Sequence, residues 1–234
     1  MTLPDGTRRD NLSARGGQVA ARPPARLRRA TVTDRLIAAL EAALASRPPL
    51  RAPAGSGAHA AVALLLRPGA EGLELLLIRR AERPGDPWSG HMALPGGRHQ
   101  ADDASLAATA ARETREEVGI DVALQGRLLG ELDELAPRSA RIPSIVVSPF
   151  VYQVDEVVEA APDPREVQAA LWVPVEELIR PDAATEHLLD LADGGTMAFP
   201  AYDARGSVVW GMTHRILAGF LELYAQAASP PGAE

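Results

Sequence analysis

The chain has 234 residues, 46% of them apolar, which suits one large domain or one domain with extensions around a substantial core. It has no cysteine, which excludes disulfides and thiolate chemistry, no apolar run near the roughly 20 residues of a membrane helix, and no apolar signal core in its first thirty residues. The net charge of −7 is uneven: residues 1–30 hold seven arginines against Asp5 and Asp10, a local +5 that leaves the rest at −12, a poor nucleic-acid binder. A cytoplasmic protein with a small-molecule partner is expected. All 24 basic residues are arginines, so any phosphate clamp must draw on arginine, histidine, backbone N–H groups or a metal.

Residues 1–58 read as a basic, partly disordered extension with one amphipathic helix, capped by Thr33 and striped by Leu36, Ile37, Leu40 and Leu44. The Pro- and Gly-rich stretch 46–59 reads as a linker, and the main domain as 59–228, followed by a disordered tail, 229–234. Residues 60–66 and 73–80 predict a hairpin of branched apolar strands, and the turn-rich 81–91 leads into a short strand at Met92. Strands are expected within 126–135 and 145–154, then a strand and short helix within 163–180, and two late strands, "TMAFPAYD" and "SVVWG". Trp172 and Trp210 are expected in the core. A final helix over 212–227 presents Ile216, Leu217, Phe220, Leu221 and Tyr224 on one face and offers support for a homodimer. Strands with one central and one terminal helix indicate an α+β class, an α/β/α sandwich rather than a doubly wound array.

The densest chemistry lies in "PGGRHQADDASLAATAARETREEVGI", residues 95–120. Asp103 is placed to cap a helix over 104–118 that Gly119 stops. On it Glu113, Glu116 and Glu117 stand at i, i+3 and i+4 and share one face. Three carboxylates so close raise each other's pKa or need a counter-charge, which hard divalent cations supply through oxygen ligands. Arg112 can pair with Glu116 or orient Glu113. A solvated, salt-bridged face is the alternative, but Pro95-Gly96-Gly97 just ahead makes a backbone loop free to approach a ligand.

This segment resembles the Nudix box, G-x5-E-x7-R-E-U-x-E-E-x-G-U, where U is a bulky apolar residue. Arg112-Glu113-Thr114-Arg115-Glu116-Glu117-Val118-Gly119-Ile120 matches its second half, with Thr114 at the apolar position. The first half departs from it: Asp103 stands for Glu, with one extra residue before Arg112. That variant is similar to the coenzyme A pyrophosphatase branch, PGG-x2-D-x2-D, with Gln100 at its first aspartate. "SGHMALPGG", with His91 for Gln and Leu94 for Phe, "REVQAALWVPVEEL" and "VVWGMTHRIL" are similar to other segments of that branch.

The resemblance implies a Nudix-like mixed sheet between helices. It also implies Mg²⁺- or Mn²⁺-dependent hydrolysis of a diphosphate bond in coenzyme A or a related nucleoside diphosphate derivative. ADP-ribose, dinucleotides, nucleotide sugars and a non-catalytic binding module are the alternatives. By position, Glu113, Glu116, Glu117 and the Gly97 carbonyl hold metal, Arg112 orients Glu113, and one glutamate or a later acid, Glu166, serves as base. Arg79 and Arg80 are candidate phosphate clamps, His91 and His99 flank the glycine loop, and Trp88 is a candidate platform for an adenine ring.

Overall fold

A computed structural model describes residues 31–53, 57–86, 88–137, 144–190 and 194–229; the basic arm, most of the tail and part of the loop after residue 135 lie outside the described residues. Helix α1 (Val32–Ala45) is capped by Thr31, not Thr33. The Thr31 hydroxyl accepts from the Asp34 N–H at 3.0 Å, and the Asp34 carboxylate accepts from the Thr31 N–H at 2.8 Å. This is a capping box with aspartate at its third position. Thr33 falls inside the first turn.

Strands β1 (Ala58–Gly69) and β2 (Gly72–Arg80) form the expected hairpin. They are followed by β3 (Met92–Ala93), β4 (Gly96–Arg98), α2 (Leu106–Val118), α3 (Val122–Gln125), β5 (Gly126–Glu131), β6 (Ile145–Val154), β7 (Val167–Pro174) and α4 (Val175–Ile179). The order across the main sheet is β3-β2-β1-β6-β5, with β4 also on β1 and β7 also on β2. Among the described residues only β1 and β6 run parallel within it, and the sheet is therefore mixed. A second sheet holds β8 (Ala184–Asp190), β9 (Thr196–Ala204) and β10 (Ser207–Trp210), and α5 (Gly211–Ala228) follows it.

Both faces of the main sheet are covered, which is why its central strands read as continuous apolar runs. Leu64, Leu66, Leu73, Leu75 and Leu77 pack on one side with Ile37, Leu40 and Leu44 of α1 and Phe220 and Tyr224 of α5. Ala61, Ala63, Leu65, Leu76 and Ile78 pack on the other with Ala110 and Val118 of α2. The result is the α/β/α sandwich expected from the order of elements. Among the described residues no helix is long and apolar enough to cross a membrane.

Three further expectations need correction. The segment after α1 is no free linker: Asp133 accepts from Leu50 N–H at 2.9 Å and Arg47 at 2.6 Å, and Glu134 accepts from Ala52 N–H at 2.9 Å. Helix α1 is thereby strapped to the body across more than eighty residues. The apolar face of α5 is buried against the sheet and α1, so it is not a free docking face. Finally, Gly96 and Gly97 form a strand rather than a loop. Gly96, Gly97 and Arg98 pair with Val62, Ala61 and Ala60 of β1, and a Cβ on Gly96 would lie 2.3 Å from the Ala61 carbonyl oxygen.

Candidate active site

Helix α2 rises directly from the glycine strand. Ser105, not Asp103, caps it, accepting the Ala108 N–H at 3.1 Å, and Gly119 closes it with φ 70°, the left-handed conformation that a C′ glycine supplies at no steric cost. Thr114, at the box position usually apolar, is fully buried and donates its hydroxyl to the Ala110 carbonyl at 2.7 Å. The helix thus satisfies the polar group internally, and Thr114 packs as a small β-branched residue.

Freed from capping, Asp103 grips Arg112. Its carboxylate accepts Nε at 2.8 Å and Nη2 at 3.0 Å, together with the Thr109 hydroxyl at 2.9 Å and the Gln100 N–H at 3.0 Å. The guanidinium holds the Asp103 carboxyl well below the usual range, and Asp103 raises the Arg112 pKa in return. His99 Nδ1 lies 2.9 Å from the Thr109 hydroxyl and extends this network. The other edge of Arg112 meets the acidic face: Nη1 donates to Glu113 at 2.8 Å and to Glu116 at 3.0 Å. Arg112 therefore both pairs with Glu116 and orients Glu113.

The three glutamates are in unlike environments. Glu116 is half exposed, Glu113 is mostly covered, and Glu117 is buried at 4% exposure, with one oxygen accepting the Gly96 N–H at 2.9 Å. Burial pushes the Glu117 carboxyl up to about 8, outweighing that N–H, and the charges of Glu113 and Glu166 add to the rise. Burial raises Glu113 as well. Gly97 is cut to fit this face, since a Cβ there would stand 2.5 Å from the Glu113 carboxyl. Glu166, on the turn before β7, is within electrostatic reach of Glu113 and Glu117, with Arg83 3.7 Å away.

Among the described residues no three acidic or imidazole groups converge on one coordination point. The physical reason is visible: Arg112 sits between Glu113 and Glu116, and Glu117 turns to Gly96. The donor set nevertheless fits a hard divalent ion. It is all oxygen, it includes a carboxyl that burial pushes up to about 8, and it faces a glycine cradle that a Cβ would fill.

The predicted substrate residues divide. Arg79 donates to the Ser207 hydroxyl at 2.8 Å and ties β2 to β10, away from the acidic face. Arg80 donates to Asp86 at 2.9 Å, and its charge acts on Glu117. Arg80, Trp88 and His91 line a cleft of about 290 Å³, which also includes Trp210. Trp210 is therefore a cleft residue, not core. Trp172 is partly buried, with the Arg67 guanidinium 4.2 Å above its ring. Asp86, which pins Arg80 and the Trp88 N–H, lies in a stretch whose sequence reads only as a turn.

Fold and site together define an α/β/α protein with a helix-borne acidic face, braced by arginine, beside an aromatic cleft. A family model described as the NUDIX domain matches residues 57–191, more than half of the chain. The chain belongs to the Nudix family. It is 37% identical to an uncharacterized protein of Schizosaccharomyces pombe over 55% of this chain and 40% of that one. It is 29% identical to Nudix hydrolase 22 of Arabidopsis thaliana, over 68% of this chain and 52% of that one. The chain thus spans about half the length of these relatives, or less. Among solved structures, a MutT/nudix family protein from Enterococcus faecalis is 20% identical with a TM-score of 0.47, covering 72% of this chain and 62% of that one.

Proposed function

We propose that the chain is a divalent-metal-dependent pyrophosphohydrolase acting on coenzyme A or a related nucleoside diphosphate derivative. The observation that carries the reading is Glu117: a buried carboxyl beside Glu113, with Glu166 in reach, is costly to maintain unless a cation is its partner. Glu113, Glu116, Glu117 and the Gly97 carbonyl would hold Mg²⁺ or Mn²⁺. Once bound, such an ion neutralises charge on phosphate oxygens and makes water acidic enough to attack near neutral pH.

The chain's own groups do the rest. Arg80 binds the diphosphate, Asp103 keeps Arg112 in place, and Arg112 orients Glu113. Glu166, half exposed and not engaged by the Arg112 network, is the carboxylate we assign as the base that takes the proton of the attacking water. One phosphorus–oxygen bond breaks, the water oxygen joins phosphorus, and the departing phosphate leaves with its bridging oxygen. Support for coenzyme A comes from the chain's likeness to that branch around the glycine strand, in β7 and at the start of α5. The Arabidopsis relative carries the name Nudix hydrolase, which agrees with the reaction class.

Chromatography of reactions with coenzyme A, ADP-ribose, dinucleoside polyphosphates and nucleotide sugars, with and without Mg²⁺, is the test. Mg²⁺-dependent release of 3′,5′-ADP and 4′-phosphopantetheine is expected, with loss of turnover in Glu116→Gln. Turnover of another diphosphate with coenzyme A untouched overturns the substrate. Equal turnover by Glu116→Gln overturns the carboxylate mechanism.

A further inference from the structure

Most carboxylates around the acidic face accept hydrogen bonds from a guanidinium. Asp103 takes Arg112 through both oxygens, Glu113 and Glu116 share its other edge, and Asp86 takes Arg80. Asp163 binds Arg165 through Nε at 3.0 Å and Nη2 at 2.6 Å. Glu166 is held differently. Its charge raises both Glu113 and Glu117, so it belongs to the same field, yet its carboxylate accepts no hydrogen bond among the described residues.

The backbone of Glu166 is fixed on both sides. Ahead of it, the Ala161 and Asp163 N–H groups donate to the Val118 and Glu117 carbonyls at 2.8 and 2.9 Å, filling acceptors that the last turn of α2 leaves open. The Glu166 N–H closes a turn on the Asp163 carbonyl at 2.9 Å, and its own carbonyl accepts the Ala81 N–H at 2.9 Å. The loop that carries Glu166 is thus fastened to the helix that carries Glu113 and Glu117, and its side chain remains to be placed.

Arg83 stands where it can place that side chain. Its N–H donates to the Ser89 hydroxyl at 2.9 Å, and its carbonyl accepts the Asp86 N–H at 3.2 Å. From this pinned turn Nη2 reaches across 82 residues of chain to donate to the Arg165 carbonyl at 2.6 Å, and the same nitrogen lies 3.7 Å from Glu166 Oε1. The first contact is a hydrogen bond; the second is too long for one. Arg83 therefore draws the carboxylate by charge without occupying its oxygens. A base needs that arrangement, because it must keep a lone pair for the proton it takes. The closer grip of Arg165 pushes the Asp163 carboxyl down to about 2, where it is a poor acceptor of protons. Arg83 and Glu166 are both half exposed, a setting in which an ion pair adds little to stability, so the effect of the pair is orientation.

We propose that Arg83 is the positioning residue of Glu166, holding its carboxylate back from Glu113 and Glu117 so that it stays available as the base instead of joining the ligands of a bound cation. This rests on the assignment of Glu166 as the base of the proposed hydrolysis and adds the group that keeps it in that role. Without Arg83, the attraction of a hard divalent ion for one more carboxylate oxygen is unopposed.

Arg83→Met and Glu166→Gln, singly and together, test this by two readouts, with thermal melting to check each fold. In steady-state kinetics on the best substrate with Mg²⁺, Arg83→Met lowers kcat about tenfold or more with KM little changed, and lowers it no further once Glu166 is glutamine. Mn²⁺ binding by calorimetry needs no turnover. There Arg83→Met tightens binding by at least about threefold when Glu166 is present and has little effect in the Glu166→Gln background. Arg83→Lys keeps the charge and stays near the unsubstituted protein in both readouts. Equal effects of Arg83→Met in the two backgrounds overturn the inference and leave the hydrolase reading intact. A raised KM at unchanged kcat, the mark of a substrate contact, does the same, as does Arg83→Lys as impaired as Arg83→Met. The expected Mn²⁺ pattern in a protein that cleaves no diphosphate leaves the hold of Arg83 on Glu166 standing and overturns the hydrolase reading instead.

Discussion

Gly97→Ala separates the cost of folding from the cost of chemistry. A Cβ at this position would lie 2.5 Å from both the carboxyl carbon and one oxygen of Glu113, whereas ordinary contact begins near 3.4 Å. The Glu113 carboxyl must therefore retreat by about 0.9 Å. The backbone imposes no penalty of its own, because Gly97 pairs with Ala61 as plain strand. The obstruction is also the far end of a flexible side chain. Moving it off its preferred rotamer costs about 0.5–1.5 kcal/mol, which lowers the melting temperature of a chain this size by about 2–5 °C. A displacement approaching 1 Å at a catalytic group costs on the order of a hundredfold in rate. Calorimetric melting and steady-state kinetics on the best substrate with Mg²⁺ should therefore show a nearly intact fold with kcat reduced about a hundredfold. A variant that keeps kcat within about threefold would refute a rate-determining role for the Glu113 position.

Asp103→Asn removes the charge that fixes Arg112 while keeping the shape, and should lower kcat by roughly 10- to 100-fold with KM little changed; a kcat loss below that range removes the bracing role. The strap after α1 should loosen in acid. Burial raises Asp133 and Glu134, but the Leu50 and Ala52 N–H groups with Arg47 and Arg51 outweigh it and leave both carboxyls below their ordinary values. A depressed carboxyl adds stability above its unfolded pKa of about 4 and loses it as pH falls through the folded value. Hydrogen exchange at Leu50 and Ala52, corrected for intrinsic rates, should show protection at neutral pH that fades below about pH 4; protection unchanged in acid contradicts this. Thr114→Val deletes a hydroxyl that bonds only within its own turn, so the melting temperature should hold or rise slightly. A drop of more than about 5 °C would mean the hydroxyl matters to packing.

Much of this architecture can be read from local pattern. The hairpin of β1 and β2, the ten-residue run of β6 and the glycine stop after α2 each follow from residues adjacent in sequence. Strand β8 is not legible in the sequence because six of its seven residues are exposed, and a strand with neither face buried shows no alternation. The caps of α1 and α2 lie two residues from the positions the sequence suggests. Thr31 and Ser105 stand near Thr33 and Asp103, residues of the same capping chemistry, and only the backbone decides which one accepts. Trp210 reads as core because its strand is apolar. Its neighbours His187 and His91 arrive from β8 and from the loop before β3, and a cleft assembled from β2, that loop, β3, β6, β10 and the start of α5 leaves no mark in any single segment.

The acidic helix shows the boundary most clearly. Spacing alone places Glu113, Glu116 and Glu117 on one face and poses the question of how their repulsion is relieved. The folded chain answers it differently for each residue. Glu116 faces solvent and pairs with Arg112; Glu113 shares that guanidinium; Glu117 is carried into the interior, where a pKa near 8 leaves it largely protonated at neutral pH. Arg112 can serve two glutamates only because Asp103, nine residues away, holds its opposite edge. A divalent ion entering this face would compete with Arg112 for Glu113 and Glu116 and displace the proton of Glu117. Metal binding should consequently strengthen as pH rises, with proton release measurable in a weakly buffered titration. The contacts of Arg112 with Glu113 and Glu116 are the ones a cation must remodel, while the grip of Asp103 lies on the opposite edge of the guanidinium.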